Sequence, residues 1–188
     1  KVKEVSDEWL QISGRRERHF TLGMFETEYI RSTPILTAED IDGKVQGFVN
    51  LIPSYFKGEV TNDLMRRRKS SPNGIMDYLF VKLFLQSKEQ GHERFNLGMA
   101  PMSGFREDEQ ASPEEKAIHY FFRHLNFLFS YKGLLHFKAK FAHTWEPRYS
   151  IYKSYLDLTR LAIALRELSE VKKPIGVPLI LRIVKKNR

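Results

Sequence analysis

One segment joins a strand pattern to a helix pattern through a basic run, and it reads Gly58-Glu-Val-Thr-Asn-Asp-Leu-Met-Arg-Arg-Arg-Lys-Ser-Ser-Pro-Asn-Gly74. Residues 58–65 are typical of a strand. From 74 to 90, apolar residues recur near helical spacing until Gly91 ends the run, and residues 95–99 return to a short strand pattern. The order strand, basic loop, helix, strand predicts an α/β fold.

The rest of the chain adds elements to this unit. Ser6 is expected to cap an N-terminal helix, and Ser112-Pro-Glu-Glu115 has the pattern of another helix start. A turn at Asp42-Gly43 lies between predicted strands at 20–25 and 44–51, as in a hairpin. The remaining predicted elements are a short helix at 134–141, a strand at 148–152 and a helix at 155–170. Together they predict a mixed, mainly antiparallel sheet with helices packed on it.

Length and composition limit the possible partners and chemistry. The 188 residues fit one domain, and 31 Lys and Arg against 23 Asp and Glu give a net charge of +8. Such an excess favours nucleic acid or an anionic lipid surface as a partner. The absence of cysteine excludes disulfides, thiolate zinc sites and a cysteine nucleophile. The six histidines are scattered without metal-binding spacing, so no metal site is expected.

This chain is not expected to span a membrane by itself. No window holds the roughly 18 uncharged apolar residues that a membrane-spanning helix needs. The chain starts at Lys1 without an initiator methionine or signal peptide, so we expect a piece of a longer protein. Any contact with a bilayer should then be peripheral, or made by other parts of that protein.

The basic run is the first candidate site. Arg66, Arg67, Arg68 and Lys69 precede a helix N-terminus, and backbone amides at such an end attract anions that arginine side chains also bind. We expect these four residues and the segment 138–140 to form one basic face. The alternative is that the run is simply solvated.

Asp63 and Arg66 are the candidates for reaction chemistry. They lie three residues apart at a predicted strand end, so they share one sheet face only if the backbone bends. As a functional pair, Asp63 would hold an ammonium or orient a hydroxyl, and Arg66 would balance an ester or phosphate oxygen. As an exposed ion pair they would contribute about 0–1 kcal/mol to stability.

Three more segments carry candidate residues. Glu17, in a basic stretch, is either a surface ion-pair residue or a ligand for a cationic amino acid. In Phe137-Lys-Ala-Lys-Phe141 the phenylalanines are expected in the core and the lysines in solvent. In Trp145-Glu-Pro-Arg-Tyr149, Arg148 is either a bridge to Glu146 or a phosphate ligand.

The segments 62–74, 94–104, 137–141 and 145–149 together resemble the soluble synthase end of the bacterial phosphatidylglycerol lysyltransferases, also called multiple peptide resistance factors. The resemblance implies a GNAT-like acyltransferase fold. It implies that residues 1–188 are a single domain, the second of two tandem folds in a longer membrane protein, on the cytoplasmic face of the cell membrane. The missing N-terminal synthase half and the transmembrane region of that polypeptide would be its partners.

The implied activity is transfer of lysine from lysyl-tRNA to the glycerol hydroxyl of phosphatidylglycerol. This reaction lowers the negative charge of the membrane and gives resistance to cationic antimicrobial peptides. Aminoacyl-tRNA is the co-substrate and no cofactor is implied. By resemblance Asp63, Arg66 and Lys138 are catalytic, with Asp63 as base or ammonium ligand and the two cations as electrostatic stabilisers. The residues assigned to substrate binding are Glu17, Arg67, Arg68, Lys69 and Arg148.

Three alternatives remain open. Relatives of this kind also use alanyl-tRNA, and nothing in the sequence decides between lysine and alanine. A coenzyme-A-dependent N-acetyltransferase would share the fold, although Pro72 and the lone Gly74 replace the glycine-rich loop that such enzymes use. The chain could also be a non-enzymatic basic module that binds RNA or membrane.

Overall fold

The computed structural model describes residues 1–12, 14–17, 23–100, 131–149 and 151–154, and positions 157, 160, 161, 163, 164, 167 and 168. The helices with defined bounds are α1 (Val2–Leu10), α2 (Thr27–Arg31), α3 (Ile75–Glu89) and α4 (Tyr131–Ala139). The strands are β1 (Ile35–Glu39), β2 (Val45–Pro53), β3 (Glu59–Arg67) and β4 (Arg94–Asn96). Every described position between 157 and 168 is helical, which agrees with the predicted last helix.

The four strands form one sheet in the order β1-β2-β3-β4. β1 pairs with β2 and β2 with β3 in antiparallel fashion, whereas β3 and β4 are parallel. The parallel pair requires a crossover, and α3 supplies it. The predicted α/β class and mixed, mainly antiparallel sheet are confirmed, and the topology agrees with the predicted GNAT-like arrangement.

The sheet is covered on both faces. On one face α3 packs its Leu79, Phe80 and Leu83 against β-strand residues that include Val49 and Val60. Phe137 and Phe141, in and just after α4, join this cluster, and the rings of Phe80 and Phe137 lie 5.1 Å apart. On the other face α1 and α2 enclose a second cluster made of Val5, Ile30, Val45, Phe48 and Leu64. The candidate residues of β3 are divided between these two faces.

The hairpin forms at the predicted turn but with a different first strand. Asp40 donates its N–H to the carbonyl of Lys44 at 3.1 Å, and Gly43 adopts a φ of 71°, which favours glycine. The strand before this turn is β1, not residues 20–25, whose described part, 23–25, lies outside any strand. β1 follows Pro34 and contains Thr37-Ala-Glu39, a weak strand pattern that sequence reasoning missed.

Other predicted elements need correction as well. Ser6 does not cap α1: the helix begins at Val2, and Ser6 is buried within it. Only the second half of the basic run is a loop: Arg66 and Arg67 belong to β3, whereas Arg68 and Lys69 follow it. β4 is shorter than the predicted 95–99, and the described residues of 148–152 form no strand. The predicted helix start at 112–115 lies outside the described residues.

Candidate active site

A β-bulge in β3 brings Asp63 and Arg66 to one face of the sheet. Val49 pairs with Met65 and Leu51 with Asn62, so the single residue Asn50 on β2 faces two residues on β3. Asn50 is fully buried, and its side-chain oxygen accepts the Leu64 N–H at 2.6 Å. One extra residue shifts the alternation of a strand by one position. The bulge therefore supplies the bend that Asp63 and Arg66 need in order to share a face of the sheet. That face is the one covered by α1 and α2.

Asp63 is held in one orientation by two donors. Its Oδ1 accepts the backbone N–H of Gly23 at 2.8 Å, and its Oδ2 accepts the hydroxyl of Tyr29 in α2. A Cβ at Gly23 would overlap Asp63 Oδ2 and lie 2.9 Å from Tyr29 Cε1, so the backbone approaches the carboxylate more closely than any other residue type permits. Asp63 lies within β3, not at the strand end as predicted, and is partly exposed.

Tyr29 remains a hydrogen-bond donor over the physiological range. Burial and the hydrogen bond to Asp63 raise the pKa of Tyr29 to about 12. A neutral phenol is thereby fixed against the Asp63 carboxylate.

Arg66 is enclosed rather than open to a cleft. Its side chain is 3% exposed, and its Nη1 and Nη2 bind the two carboxylate oxygens of Glu17 at 2.6 and 2.7 Å. Nη1 also donates to Ser6 Oγ at 2.7 Å, and the guanidinium lies 4.6 Å from the centre of the Trp9 ring. Arg66 lies near the end of β3, as predicted, but its side chain is enclosed because it points towards α1.

Glu17 is part of the same arrangement. Both of its oxygens are engaged by Arg66, and its Oε2 also accepts the backbone N–H of Phe25 at 3.4 Å. The structure thus brings together Glu17 and Arg66, two predicted site residues, as a bidentate ion pair. Through Phe25, this pair contacts the segment whose Gly23 binds Asp63.

The other basic residues of the run diverge. Arg68 is buried and binds the Val45 carbonyl at 2.7 Å and the carboxylates of Glu8 and Glu4 at 2.9 and 3.1 Å. The hydrogen bond with Glu8 is the main reason that the pKa of Arg68 is raised. Arg68 therefore fastens α1 to β3.

Arg67 and Lys69 complete the run. Arg67 donates to Ser71 Oγ at 3.3 Å and is partly buried, whereas the side chain of Lys69 is exposed. The expected single basic face is wrong for Arg66 and Arg68, since both side chains are buried in contacts with α1, Arg66 at Ser6 and Arg68 at Glu4 and Glu8.

Lys138 belongs to a different cluster. It is 8% exposed on α4 and donates to the Met99 carbonyl, beyond the end of β4, at 2.8 Å. Burial lowers the pKa of its amine to about 8. Its expected default position in solvent is wrong, whereas Lys140 is exposed and pairs with Asp77 at 2.8 Å. The structure thus separates Lys138 from the contacts that join Asp63 and Arg66 to α1 and α2.

Arg148 lies on the surface. It donates to Glu146 at 3.0 Å, and both side chains are exposed, so the bridge that was one of the two alternatives is present. Within the described part of the chain, no group of three or more His, Asp or Glu side chains could hold a metal ion. Among those same residues, no helix has the length and apolarity that crossing a bilayer demands.

Sequence reasoning missed Gly23, Tyr29 and Asn50. Asn50 had a usable signal, because asparagine is depleted in strands and here stands in the apolar run Val49-Asn-Leu51. Gly23 and Tyr29 had none, since their role depends on a carboxylate about 40 residues later in the chain.

Comparison with known proteins identifies the family. Residues 1–152 match the family model described as phosphatidylglycerol lysyltransferase, C-terminal. The phosphatidylglycerol lysyltransferase of Bacillus subtilis (strain 168) is 36% identical over 158 residues, which are 84% of this chain and 18% of that protein. The corresponding enzyme of Staphylococcus haemolyticus is 35% identical over 152 residues, 81% of this chain and 18% of that protein.

Two solved structures share the fold. L-PGS from Bacillus licheniformis superimposes with a TM-score of 0.72 at 35% identity, covering 88% of this chain and 50% of that chain. The C-terminal domain of a putative lysylphosphatidylglycerol synthetase from Agrobacterium fabrum gives a TM-score of 0.72 at 39% identity, covering 89% and 49%. The chain thus spans 18% of the length of these curated relatives and about half of the solved chains. It belongs to the phosphatidylglycerol lysyltransferase family, of which it represents the C-terminal part.

Proposed function

We propose that this chain is the second half of the synthase portion of an enzyme that moves lysine from lysyl-tRNA to the glycerol hydroxyl of phosphatidylglycerol. The observation that carries the proposal is the carboxylate of Asp63, which the β3 bulge, Gly23 and Tyr29 hold in one orientation while it stays partly exposed. A fixed carboxylate within reach of solvent suits a group that must receive a proton from a substrate hydroxyl.

The reaction requires little beyond positioning. The lipid hydroxyl attacks the carbonyl carbon of the aminoacyl ester, the bond from that carbon to the tRNA ribose oxygen breaks, and the hydroxyl proton ends on the departing ribose oxygen. An ester is already an activated acyl group, so orientation, proton transfer and charge stabilisation suffice. Asp63 accepts the proton from the attacking hydroxyl and returns it to the leaving group.

Arg66 is a positioning residue in this proposal and does not touch the substrate. Its enclosure by Glu17, Ser6 and Trp9 leaves it 3% exposed, so it positions the segment that supplies Gly23 to Asp63. Glu17 then has the same positioning role, in place of a direct contact with the lysyl group.

Lys138 keeps the assignment of an electrostatic stabiliser near a phosphate. Its amine lies beside Gly98 and the Met99 carbonyl, where a Cβ added to Gly98 would be 3.5 Å from the amine. Lys69, exposed in the turn after β3, and Arg148 remain the residues proposed to contact phosphates of tRNA or lipid. Arg67 and Arg68 support the fold at that end of β3.

Relatives that extend well beyond this chain support a tandem arrangement. We place the chain on the cytoplasmic face of the cell membrane, attached through the transmembrane region of the longer polypeptide. Aminoacyl-tRNA and phosphatidylglycerol are its substrates, and the product lowers the negative charge of the membrane and thereby gives resistance to cationic antimicrobial peptides.

The test is lipid extraction after incubating the complete synthase portion with phosphatidylglycerol vesicles and aminoacyl-tRNA labelled in the amino acid. Label in the lipid fraction with lysyl-tRNA supports the proposal, and label with alanyl-tRNA alone would instead identify the alanyl version. A thermal shift with acetyl-CoA and no lipid label would indicate a coenzyme-A-dependent enzyme. Salt-sensitive binding of RNA or vesicles without transfer would leave only a basic binding module.

A further inference from the structure

The turn between β2 and β3 exposes two adjacent aromatic side chains. Tyr55 and Phe56 have relative exposures of 107% and 72%. Single exposed apolar residues are normal, but two neighbouring aromatic rings on one turn form a patch that is costly in water unless something covers it.

The turn is held in place rather than free to fold its rings inward. Ser54 Oγ accepts the Phe56 N–H at 3.2 Å and donates to Glu59 at 2.6 Å. Glu59 donates its N–H to the Phe56 carbonyl at 3.1 Å, which closes the turn. Gly58 accepts the Glu93 N–H at 2.8 Å, which ties the turn to the start of β4. The backbone therefore presents both rings outward in a fixed position.

The opposite end of β2 provides a comparison. There Ile41 is 102% exposed on the β1–β2 turn, between Asp40 and Asp42. Its neighbours carry negative charge, which an anionic lipid surface repels. Tyr55 and Phe56 are instead followed directly by Lys57, and the two carboxylates near this turn belong to Glu59, which accepts the Ser54 hydroxyl, and Glu93, which lies against Gly58. Aromatic rings with an adjacent lysine suit the boundary between lipid head groups and acyl chains.

We propose that the β2–β3 turn inserts Tyr55 and Phe56 into the interfacial layer of an anionic lipid bilayer. This inference rests on the proposed function, because it takes the acceptor to be a bilayer lipid. Asp63 follows Glu59 by four residues on β3, so the turn and the carboxylate are about 13 Å apart along the strand. Anchoring at the turn would keep the carboxylate near the level of the lipid head groups.

The test is co-sedimentation of the chain with vesicles of phosphatidylcholine containing phosphatidylglycerol. The double variant Tyr55→Ser/Phe56→Ser should lower the partition coefficient by about tenfold or more, because two aromatic rings are withdrawn from the interface. The matched control is Ile41→Ser, which removes an equally exposed apolar side chain about 30 Å away at the other end of β2 and should leave partitioning unchanged. Equal partitioning of the double variant and the wild type overturns the proposal.

A second variant keeps an aromatic ring at the turn. The fluorescence of Phe56→Trp, corrected for Trp9 and Trp145 with the wild type, should be quenched by brominated phospholipid in the same vesicles. Absence of quenching overturns the proposal. If the preceding half of the synthase portion changes this fluorescence and vesicles do not, the turn is a contact within the longer protein and the proposal is wrong.

Failure of this inference can be separated from failure of the proposed function. Transfer to a short-chain phosphatidylglycerol dissolved as monomers needs no membrane contact, so the double variant in the complete synthase should retain transfer there and lose it on vesicles. Equal loss on both substrates would contradict the membrane role of the turn. Absence of transfer by the wild type on either substrate would contradict the proposed function, while the vesicle partitioning still tests the turn.

Discussion

Replacing Gly23 with alanine should disturb Asp63 more than any other single added methyl group among the described glycines. The new Cβ would overlap Asp63 Oδ2, lie 3.0 Å from Asp63 Cγ and lie 2.9 Å from Tyr29 Cε1. To reach ordinary van der Waals contact, the carboxylate would have to retreat by about 1.5 Å. That shift breaks its hydrogen bonds to Gly23 and Tyr29.

The cost follows from these contacts. Overpacking of this kind costs about 1–3 kcal/mol, and the two lost hydrogen bonds together add about 1–2 kcal/mol, because water replaces both donors at the partly exposed carboxylate. Reduced freedom of the unfolded chain offsets about 0.4–1 kcal/mol. We expect Gly23→Ala to lower the free energy of unfolding by about 2–4 kcal/mol and to reduce aminoacyl transfer by about 100-fold, since a misplacement of about 1 Å has that effect on rates.

The assay is a double-mutant cycle in urea with Gly23→Ala, Asp63→Ala and the double variant. With alanine at position 63 the clash is relieved, so the penalty of Gly23→Ala should fall by more than about 1 kcal/mol. The matched control is Gly47→Ala, whose Cβ would meet the Arg66 carbonyl at 3.2 Å and Leu79 Cδ1 at 3.3 Å but not Asp63. Gly47→Ala should lower the free energy of unfolding equally with aspartate or alanine at position 63. If Gly23→Ala also costs the same in both backgrounds, to within about 0.5 kcal/mol, the added Cβ does not clash with Asp63 and the prediction is wrong.

Three further predictions concern the buried charges. Glu17→Gln should lower the free energy of unfolding by about 3–5 kcal/mol in urea titrations, because it leaves the buried Arg66 without its carboxylate. A loss of less than about 1 kcal/mol would show that the ion pair is dispensable for stability. Lys138→Met should be more stable than the wild type, because it removes a buried amine, and the gain in free energy of unfolding should be largest below pH 8. The native pKa of about 8 lies under the usual 10.5, so the gain should shrink between these values in urea titrations, and a constant gain would contradict it. The hydrogen bond from Arg68 lowers the pKa of Glu8, so this pair stabilises the fold above pH 4.5 and less as the pH falls. In Glu8→Gln the melting temperature should therefore fall less steeply between neutral and acidic pH than in the wild type. An unchanged pH dependence of the melting temperature would mean that Glu8 does not contribute.

Periodicity was sufficient for the central elements of the fold. β2, β3 and α3 have apolar patterns that correspond to their buried faces, and Asp42-Gly43 marks the hairpin turn correctly. These features depend on neighbours within a few residues of each other, which is the range over which sequence patterns are informative.

The site depends on contacts that no local pattern specifies. Arg66 meets Ser6 and Glu17 across 60 and 49 residues of chain, so four consecutive basic residues appeared to be a solvated or phosphate-binding loop. The bulge arises from a difference of one residue between β2 and β3, which is invisible until their register is known. Only the need for a bend between Asp63 and Arg66 could be stated beforehand.

In the proposed mechanism Asp63 receives the proton of the lipid hydroxyl. Single-turnover transfer of labelled lysine from lysyl-tRNA to phosphatidylglycerol vesicles, measured with the complete synthase portion, tests it most directly when wild type, Asp63→Asn and Asp77→Asn are compared. Asp77, on the first turn of α3, is paired with the exposed Lys140 and serves as a matched carboxylate control. We expect the transfer rate to fall by about 100-fold or more for Asp63→Asn at equal amounts of folded protein, and to stay unchanged for Asp77→Asn. Equal rates for Asp63→Asn and the wild type would contradict it.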